Sequence, residues 1–342
     1  MNPKLKNQLK NFAFILTIVL LELVQPSQAQ NSPTLRFNKE GKFKIVQFTD
    51  VHMKEDHVGK RDSVIEIITT IIKTEKPDLV VLSGDIATSE NVKKAWLTVV
   101  QPIINAKIPW AAVFGNHDWE HGYSNKQIME YLVTLPYNCS QFGSKKINGT
   151  GNYVLKIKDA KEKQTEALIY CFDSNNYTED KENPELGEYG WIRFDQIEWY
   201  RKKSAKYTQK NEGKPLPALA FFHIPLPEYK IVQQMETTIG DKEENIASPV
   251  INSGMYNAML EMKDVMGTFV GHDHNNNFIG CLNQICLAYG CKTGLDSYGH
   301  NEKGARVIEI YEGKRKFDSW IHTLKNNKEY LVSYPESFKK KK

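Results

Sequence analysis

The 342-residue chain is short of several things, and each absence narrows its class. Cysteine is scarce, with only five residues, so a disulfide framework cannot stand in for a core. No Pro-rich, Gly/Ser-rich or repeating segment interrupts the chain, which excludes a solenoid, a collagen-like fibre or a string of linked modules. It has no uninterrupted apolar stretch of the roughly 20 residues that a membrane helix needs. It also lacks a large charge of one sign. The formal net charge is +4, but Lys4, Lys6 and Lys10 against Glu22, together with Lys339–Lys342, account for more than all of it. The body is near neutrality, so no bulk positive field draws in nucleic acid or an anionic membrane. A small-molecule or protein substrate suits this charge better.

What is present is the composition of a folded globular protein: 40% hydrophobic, 25% charged and 11% aromatic residues. The basic Lys4, Lys6 and Lys10 precede an apolar run from Phe12 to Leu21, and Ser27-Gln28-Ala29 offers small residues at a cleavage site. That order predicts a secretory signal peptide over residues 1–29, leaving no stable membrane span after its removal. Residues 30–342 then form a single exported domain, periplasmic or secreted, with a Lys-rich tail. In such a compartment a disulfide is permitted. Cys281, Cys286 and Cys291 are clustered, so a local bond among them is expected, whereas Cys171 sits in an apolar run and reads as a buried, inert strand residue.

Short apolar runs alternate with helical periodicity in the first half. Residues 43–48, 78–82 and 110–114 read as strands, and 62–75 and 91–105 as helices between them. This β-α-β-α-β order implies parallel strands joined by crossovers, with chemistry gathered at their carboxyl ends. The second half adds strands at 152–158, 167–172, 218–222 and 268–270, and helices at 191–203 and 255–262. Segments 285–289, 306–311 and 317–322 read as antiparallel strands closing a second sheet. Tyr189-Gly190-Trp191 reads as an anchor for the helix that follows it. Asp173-Ser174-Asn175-Asn176, after a strand, is a segment that could border a site.

Five strand ends terminate in polar groups: Asp50-Val51-His52, Gly84-Asp85, Gly115-Asn116-His117-Asp118, His223, and Gly271-His272-Asp273-His274. Each alone is ordinary turn chemistry. Together they supply seven donors of metal-ligand type: Asp50, His52, Asp85, Asn116, His223, His272 and His274. Oxygen and imidazole donors in this mixture suit first-row metals, and seven are too many for one ion. Two ions sharing a carboxylate would use them all. His57, His121 and His300 lie near these loops but read as exposed loop histidines.

The ordered blocks D-x-H, G-D, G-N-H-D, H and G-H-x-H resemble the signature of the calcineurin-like metallophosphoesterases. The segments Ile108–Asp118 and Phe222–Tyr229 are similar to the purple-acid-phosphatase-like subgroup. The resemblance implies a four-layer α/β/β/α sandwich of two mixed sheets flanked by helices. It also implies two metal ions (iron, manganese or zinc), one held by Asp50, His52, Asp85 and His274, the other by Asp85, Asn116, His223 and His272. A water shared by the metals would attack phosphorus. His117 would be catalytic, steadying the phosphoryl oxygens or protonating the leaving group, with Asn116 and His117 contacting substrate. The activity implied is hydrolysis of a phosphate ester, first a monoester. A phosphodiesterase or nucleotide pyrophosphatase could use the same site, and a catalytically silent binding protein would keep the fold alone.

Two departures accompany the resemblance. Thr88 stands where purple enzymes carry the tyrosine that ligates ferric iron, and His52 can fill that coordination place. Thr88 also replaces the last Asp of G-D-x-x-D, the carboxylate that orients the histidine corresponding to His117. On that basis His117 is expected to be a weaker acid, suited to substrates with good leaving groups.

Overall fold

The computed structural model describes residues 33–339 except 179 and 181. The predicted leader and Lys340–Lys342 of the tail lie outside the described residues.

The chain opens with β1 (Leu35–Arg36) and β2 (Lys42–Phe48), then α1 (Val58–Glu75), β3 (Leu79–Ser83), α2 (Val92–Asn105) and β4 (Trp110–Val113). α3 (Asn125–Leu132), β5 (Tyr153–Lys158), β6 (Thr165–Cys171) and α4 (Phe194–Lys210) follow. Then come β7 (Ala218–Phe221), α5 (Tyr229–Gln233), α6 (Met255–Met262) and β8 (Val265–Val270). Five further strands complete the fold: β9 (Ile279–Leu282), β10 (Ile285–Tyr289), β11 (Gly304–Tyr311), β12 (Phe317–Thr323) and β13 (Glu329–Tyr334).

The strands make two mixed sheets, in the orders β1-β5-β6-β7-β8-β10-β9 and β13-β12-β11-β2-β3-β4. Within them β2-β3-β4 and β6-β7-β8-β10 run parallel. Alternation along β3 shows how the layers form. Leu79 and Val81 join Phe221, Phe269 and Ile308 in the core between the sheets, while Val80 and Leu82 pack outward with Ile68, Trp96 and Val99 of α1 and α2. On the other sheet Leu168 and Ala220 pack with Tyr200 of α4 and Met259 of α6. A strand buried on both faces must be apolar at every position, which is why these runs lack a polar alternation. The result is the expected sandwich of two mixed sheets flanked by helices.

The sequence reading of the last strands needs correction. Residues 304–311 and 317–323 belong to the sheet of β2, β11 pairing antiparallel with β2, whereas β10 joins the sheet of β8, parallel to β8 and antiparallel to β9. The apolar run Ile-Cys-Leu-Ala-Tyr of β10 is buried throughout, as an interior parallel strand must be. Phe-Asp-Ser-Trp-Ile-His-Thr in β12 carries the polar positions of an antiparallel one. Helix ends differ too. α1 begins at Val58, and α4 runs from Phe194 to Lys210, because its final turn continues beyond the last inward apolar positions. Asp195 lies in the first turn of α4, as expected. Cys281 and Cys286 face each other across the β9–β10 pair and are bonded, while Cys139, Cys171 and Cys291 are free and buried. No helix among the described residues is long and apolar enough to cross a membrane.

Candidate metal centre

Every one of the sequence-picked donors leaves the carboxyl end of a parallel strand, so the topology delivers them to one edge of the sandwich. Asp50 and His52 follow β2, Asp85 follows β3, and Asn116 follows β4. His223 follows β7, and His272 and His274 follow β8. Two compact groups result: Asp50 with His52 and His274, and Asp85 with His223 and His272, all six buried and the ligand atoms within each group no more than 4.8 Å apart. Asp85 reaches toward both, with Oδ2 3.0 Å from His223 Nε2 and 3.7 Å from His52 Nε2. The two groups also meet at Asp50, whose Oδ1 lies 3.4 Å from His274 Nε2 and 3.8 Å from His223 Nε2.

The backbone is held in an uncommon shape to achieve this. Asp50, His52, Asp85 and His272 all have positive φ, at 50°, 46°, 52° and 83°. Left-handed backbone in a residue with a Cβ costs on the order of 1–3 kcal/mol and persists only where surrounding contacts over-determine it. Those contacts are present. The Asp118 carboxylate accepts four backbone N–H groups, from Asp85 and Gly115 on one oxygen and from Ile86 and Ala87 on the other. His272 N–H donates to both Asp50 carboxylate oxygens (3.0 and 3.1 Å). The buried Lys292 ammonium donates to the carbonyls of Asp50 and Asp296. Two motif glycines are required by close approach: a Cβ at Gly84 would lie 2.3 Å from His223 Nδ1, and one at Gly115 would lie 2.2 Å from Asp85 Oδ1.

The hydrogen bonding decides which imidazole nitrogen is left over. His223 Nδ1 donates to the Ser83 carbonyl (2.8 Å) and His274 Nδ1 to the Tyr298 carbonyl (2.9 Å), so each ring turns its Nε2 inward. His223 N–H and Ile224 N–H both donate to Ser174 Oγ, so the segment after β6 does border the site. His272 Nε2 and Asn116 Oδ1 are buried with no hydrogen-bond partner, and His223 Nε2, without a well-aligned hydrogen bond, faces the Asp85 carboxylate. Asn116 spends its Nδ2 on the Tyr177 hydroxyl (3.0 Å), which leaves that oxygen free. His52 Nε2 and His274 Nε2 stand only 3.2 Å apart.

Electrostatics agree with a cation. Burial pushes His52 and His272 down to about 3, so both rings are neutral with a lone pair to offer. Burial opposes charge on His223 as well, but Asp85 and Asp50 overcome it and raise it to about 10. A cation at Nε2 would take the place of that proton. Burial likewise opposes charge on Asp50 and Asp85, yet the facing histidines hold both carboxyls below the usual range. Unpartnered buried donors, neutral imidazoles and two ionised carboxylates form a set that fits two metal ions.

Some neighbours were not picked out by the sequence. Tyr189 packs edge-on against His272, with ring centroids 4.6 Å apart, and stacks on Tyr177. It therefore walls the site and is more than an anchor for α4. Tyr298 stacks on His274 at 4.1 Å. Thr88 is buried and offers no carboxylate. The orienting carboxylate of His117 comes instead from Glu120, whose Oε1 lies 2.8 Å from His117 Nδ1. The expectation that His117 lacks such a partner is corrected by that contact. The only signal in the sequence was a carboxylate three residues along a tight turn. His57 pairs with Asp296 and His300 with Glu243, both outside the donor set.

The profile of the calcineurin-like phosphoesterases matches residues 43–276. The chain belongs to the calcineurin-like phosphoesterase family. This phosphoesterase is 34% identical to "Probable inactive purple acid phosphatase 29" of Arabidopsis thaliana, over 90% of its own length and 88% of that protein's. It is 32% identical to the Saccharomyces cerevisiae protein "Phosphatase DCR2", covering 84% of its own length and 54% of that protein's. In fold it is similar to a dimetal phosphatase from Danio rerio (TM-score 0.57, 13% identity, 85% of this chain and 98% of the other). A purple acid phosphatase from yellow lupin seeds is also similar (TM-score 0.52, 13% identity, 88% of this chain and 55% of the other).

Proposed function

We propose that this phosphoesterase is a dimetal phosphatase acting on phosphate monoesters. The observation that carries the reading is the meeting of two donor groups at Asp85, with His223 Nε2 turned toward its carboxylate and with His272 Nε2 and Asn116 Oδ1 buried and unpartnered beside it. In this reading Asp50, His52, Asp85 and His274 hold one ion, and Asp85, Asn116, His223 and His272 the other, drawn from iron, manganese or zinc. Bound there, the ions would neutralise the phosphate oxygens and lower the pKa of a shared water. His117 is the group that meets the substrate from the protein side. Its Nδ1–H donates to Glu120, which fixes the ring and leaves Nε2 to serve the phosphoryl or leaving-group oxygen. Its backbone N–H donates to Asp85 Oδ1 (2.8 Å), tying this residue to the shared carboxylate. Asn116 would touch substrate as well as metal, steadied by Tyr177.

A silent binding protein is the second reading, and it draws on the word "inactive" in the names of the Arabidopsis relatives. Against it, Thr88 removes the purple tyrosine and the last Asp of G-D-x-x-D, but His52 supplies a donor, Glu120 faces His117 Nδ1 (2.8 Å), and all seven expected ligands remain. The single-domain boundary at residue 30 and export by the preceding segment belong to the same proposal.

The test is metal content and turnover of 4-nitrophenyl phosphate and bis(4-nitrophenyl) phosphate by the full chain and by Asp85→Asn. Two metals per chain, cleavage of the monoester and loss of both in the variant are expected. Cleavage of the diester alone would move the assignment to a phosphodiesterase. Two bound metals with neither substrate cleaved would sink the enzyme reading.

A further inference from the structure

The near-neutral charge of the body conceals two unlike ends. The parallel strands deliver their carboxyl ends to the metal centre, so the turns that feed their amino ends collect at the far end of the sandwich. The connections there are residues 37–41, 76–78, 106–109, 159–164, 211–217, 263–264, 283–284 and 312–316, with 335–339 after β13. They carry eleven lysines and arginines against eight carboxylates. At the metal end the connections are 49–57, 84–91, 114–124, 133–152, 172–193, 222–228, 234–254, 271–278, 290–303 and 324–328. Their described residues carry nine against twenty. The chain is therefore basic at one end and acidic at the other.

The basic groups of the far end lie side by side. Arg36, Lys39 and Lys107 line a cleft of about 540 Å³ in which Asp78 is the one carboxylate. Glu312 N–H donates to the Gly41 carbonyl (2.9 Å), which sets the 312–316 turn, with Lys314, Arg315 and Lys316, against the 37–41 turn. Arg315 donates to the carbonyls of Lys263, Asp264 and Val265, so the surface continues to the start of β8. Arg36 pairs with Glu162 and Lys42 with Glu309. By contrast, Lys39, Lys107 and Lys314 are exposed and pair with no carboxylate among the described residues. Lys107 follows the end of α2, where a cation complements the helix dipole. Lys39 and Lys314 sit in turns between strands and have no such explanation.

We propose that this far end is a membrane-facing surface that binds anionic phospholipid headgroups, with the metal centre directed away from the bilayer. Both ends of the described chain decide between a lipid surface and another polyanion. β1 pairs with the last residues of β5, Leu35 with Ile157 and Arg36 with Lys158, so the chain enters at this end. Tyr334 at the close of β13 pairs with Phe317, so it leaves beside the 312–316 turn. In sequence, the entry continues back to the apolar run Phe12–Leu21 and the exit continues to Lys340–Lys342. An apolar segment joined to a basic surface is the pair of signals that holds a chain at an anionic bilayer. With the leader attached the two act together, and the basic surface is what remains without it. Trp119, Phe142, Phe194, Tyr298 and Tyr330, the exposed aromatic residues among those described, lie outside these far-end connections. The surface thus lacks the stacking groups of a single-stranded nucleic acid site. The inference does not depend on the reaction assigned to the metal centre.

The test is co-sedimentation of the full chain with vesicles of phosphatidylcholine alone and of phosphatidylcholine with roughly 30% phosphatidylglycerol. The anionic vesicles are expected to bind the chain at least tenfold more tightly, and about 0.5 M salt should remove most of that preference. The leader, with Lys4, Lys6 and Lys10, is the same in every variant, so charge changes at the far end isolate the surface. The triple variant Lys39→Gln, Lys107→Gln, Lys314→Gln is expected to weaken binding to the anionic vesicles by about 100-fold, roughly fivefold for each lysine. Its binding to phosphatidylcholine should stay within about twofold, and an unchanged urea unfolding curve shows that it is folded. Equal binding to the two vesicles, or a preference that the triple variant keeps, would overturn the proposal. So would a short DNA duplex that binds more tightly than the anionic vesicles at equal phosphate concentration and salt, since the partner would then be a nucleic acid.

Discussion

Replacing Asp118 by Asn tests whether the shape of the centre is built before any metal arrives. Asp118 Oδ2 accepts from Asp85 N–H (2.9 Å) and Gly115 N–H (2.8 Å), and Oδ1 from Ile86 N–H (2.8 Å) and Ala87 N–H (3.2 Å). Burial and the neighbouring Asp85 charge push this carboxyl up to about 6, so it is still ionised at pH 7. An Asn amide can accept on one side only. Whichever oxygen becomes NH2, two buried backbone N–H groups lose their acceptor and face a donor. At about 1–3 kcal/mol for each stranded group, the cost is about 2–6 kcal/mol before the weaker neutral bonds on the other side are counted. Against a typical stability of about 5–15 kcal/mol, the variant should still fold. Urea unfolding of the metal-free chain should therefore show a loss near 4 kcal/mol. Metal content should fall with it, because Asp85 sits on the loop that moves. A variant within about 1 kcal/mol of wild type, binding two metals normally, would refute the claim that this carboxylate holds the β3 and β4 loops together.

Other expectations can be checked alongside it. Glu120→Gln should cut kcat for alkyl phosphates by about tenfold while barely affecting 4-nitrophenyl phosphate, whose leaving group needs no proton; an equal loss on both would assign Glu120 a merely structural part. Gly115→Ala should reduce metal content and lower activity by about 100-fold or more, since its Cβ would lie 2.2 Å from Asp85 Oδ1; elemental analysis and turnover report on both. Glu75 is buried at the end of α1, where it opposes its own desolvation by accepting from His322 (2.7 Å), Trp320 (3.1 Å) and Lys44 (3.1 Å), and its carboxyl is held below the usual range. A depressed carboxylate stabilises above its unfolded pKa, about 4.5, and loses that contribution as pH falls through the folded value. The stability gap between wild type and Glu75→Gln, about 1–3 kcal/mol at pH 7, should therefore narrow toward pH 4 in urea titrations; a gap independent of pH would contradict it.

How much of this was legible in the sequence follows from where the information lies along the chain. The metal-ligand candidates were legible because each sits in a turn immediately after an apolar strand, where the residue types and their order are read locally. Parallel topology then brings the strand ends together without further instruction. The partner of a strand is a different matter. Residues 304–311 and 317–323 have the pattern of strands, yet nothing local states that β11 pairs with β2, more than 250 residues earlier in the numbering, as Arg306 does with Gln47. Only β10 carried a clue, since a run apolar at every position points to burial on both faces.

The groups that shape the site were the least legible, and the reason is physical. Lys292, Tyr177, Tyr189 and Tyr298 act through single contacts made by loops that meet only in the folded chain, so no motif surrounds them. Lys292 illustrates the point. In the sequence it is one lysine among many, but in the fold it is buried, and burial draws it down to about 8. Its ammonium donates to the backbone at Asp50, a residue in left-handed conformation, and to the backbone at Asp296, whose carboxylate pairs with His57 and Lys60. A few residues on, Tyr298 accepts from His274 Nδ1 and covers its ring. The loop after β10 thus fixes two members of one donor group from outside the motifs that supply them. A chain could keep all seven candidate ligands and still hold them poorly if this loop changed. The motif names the donors, and the contacts between loops decide whether they are preorganised.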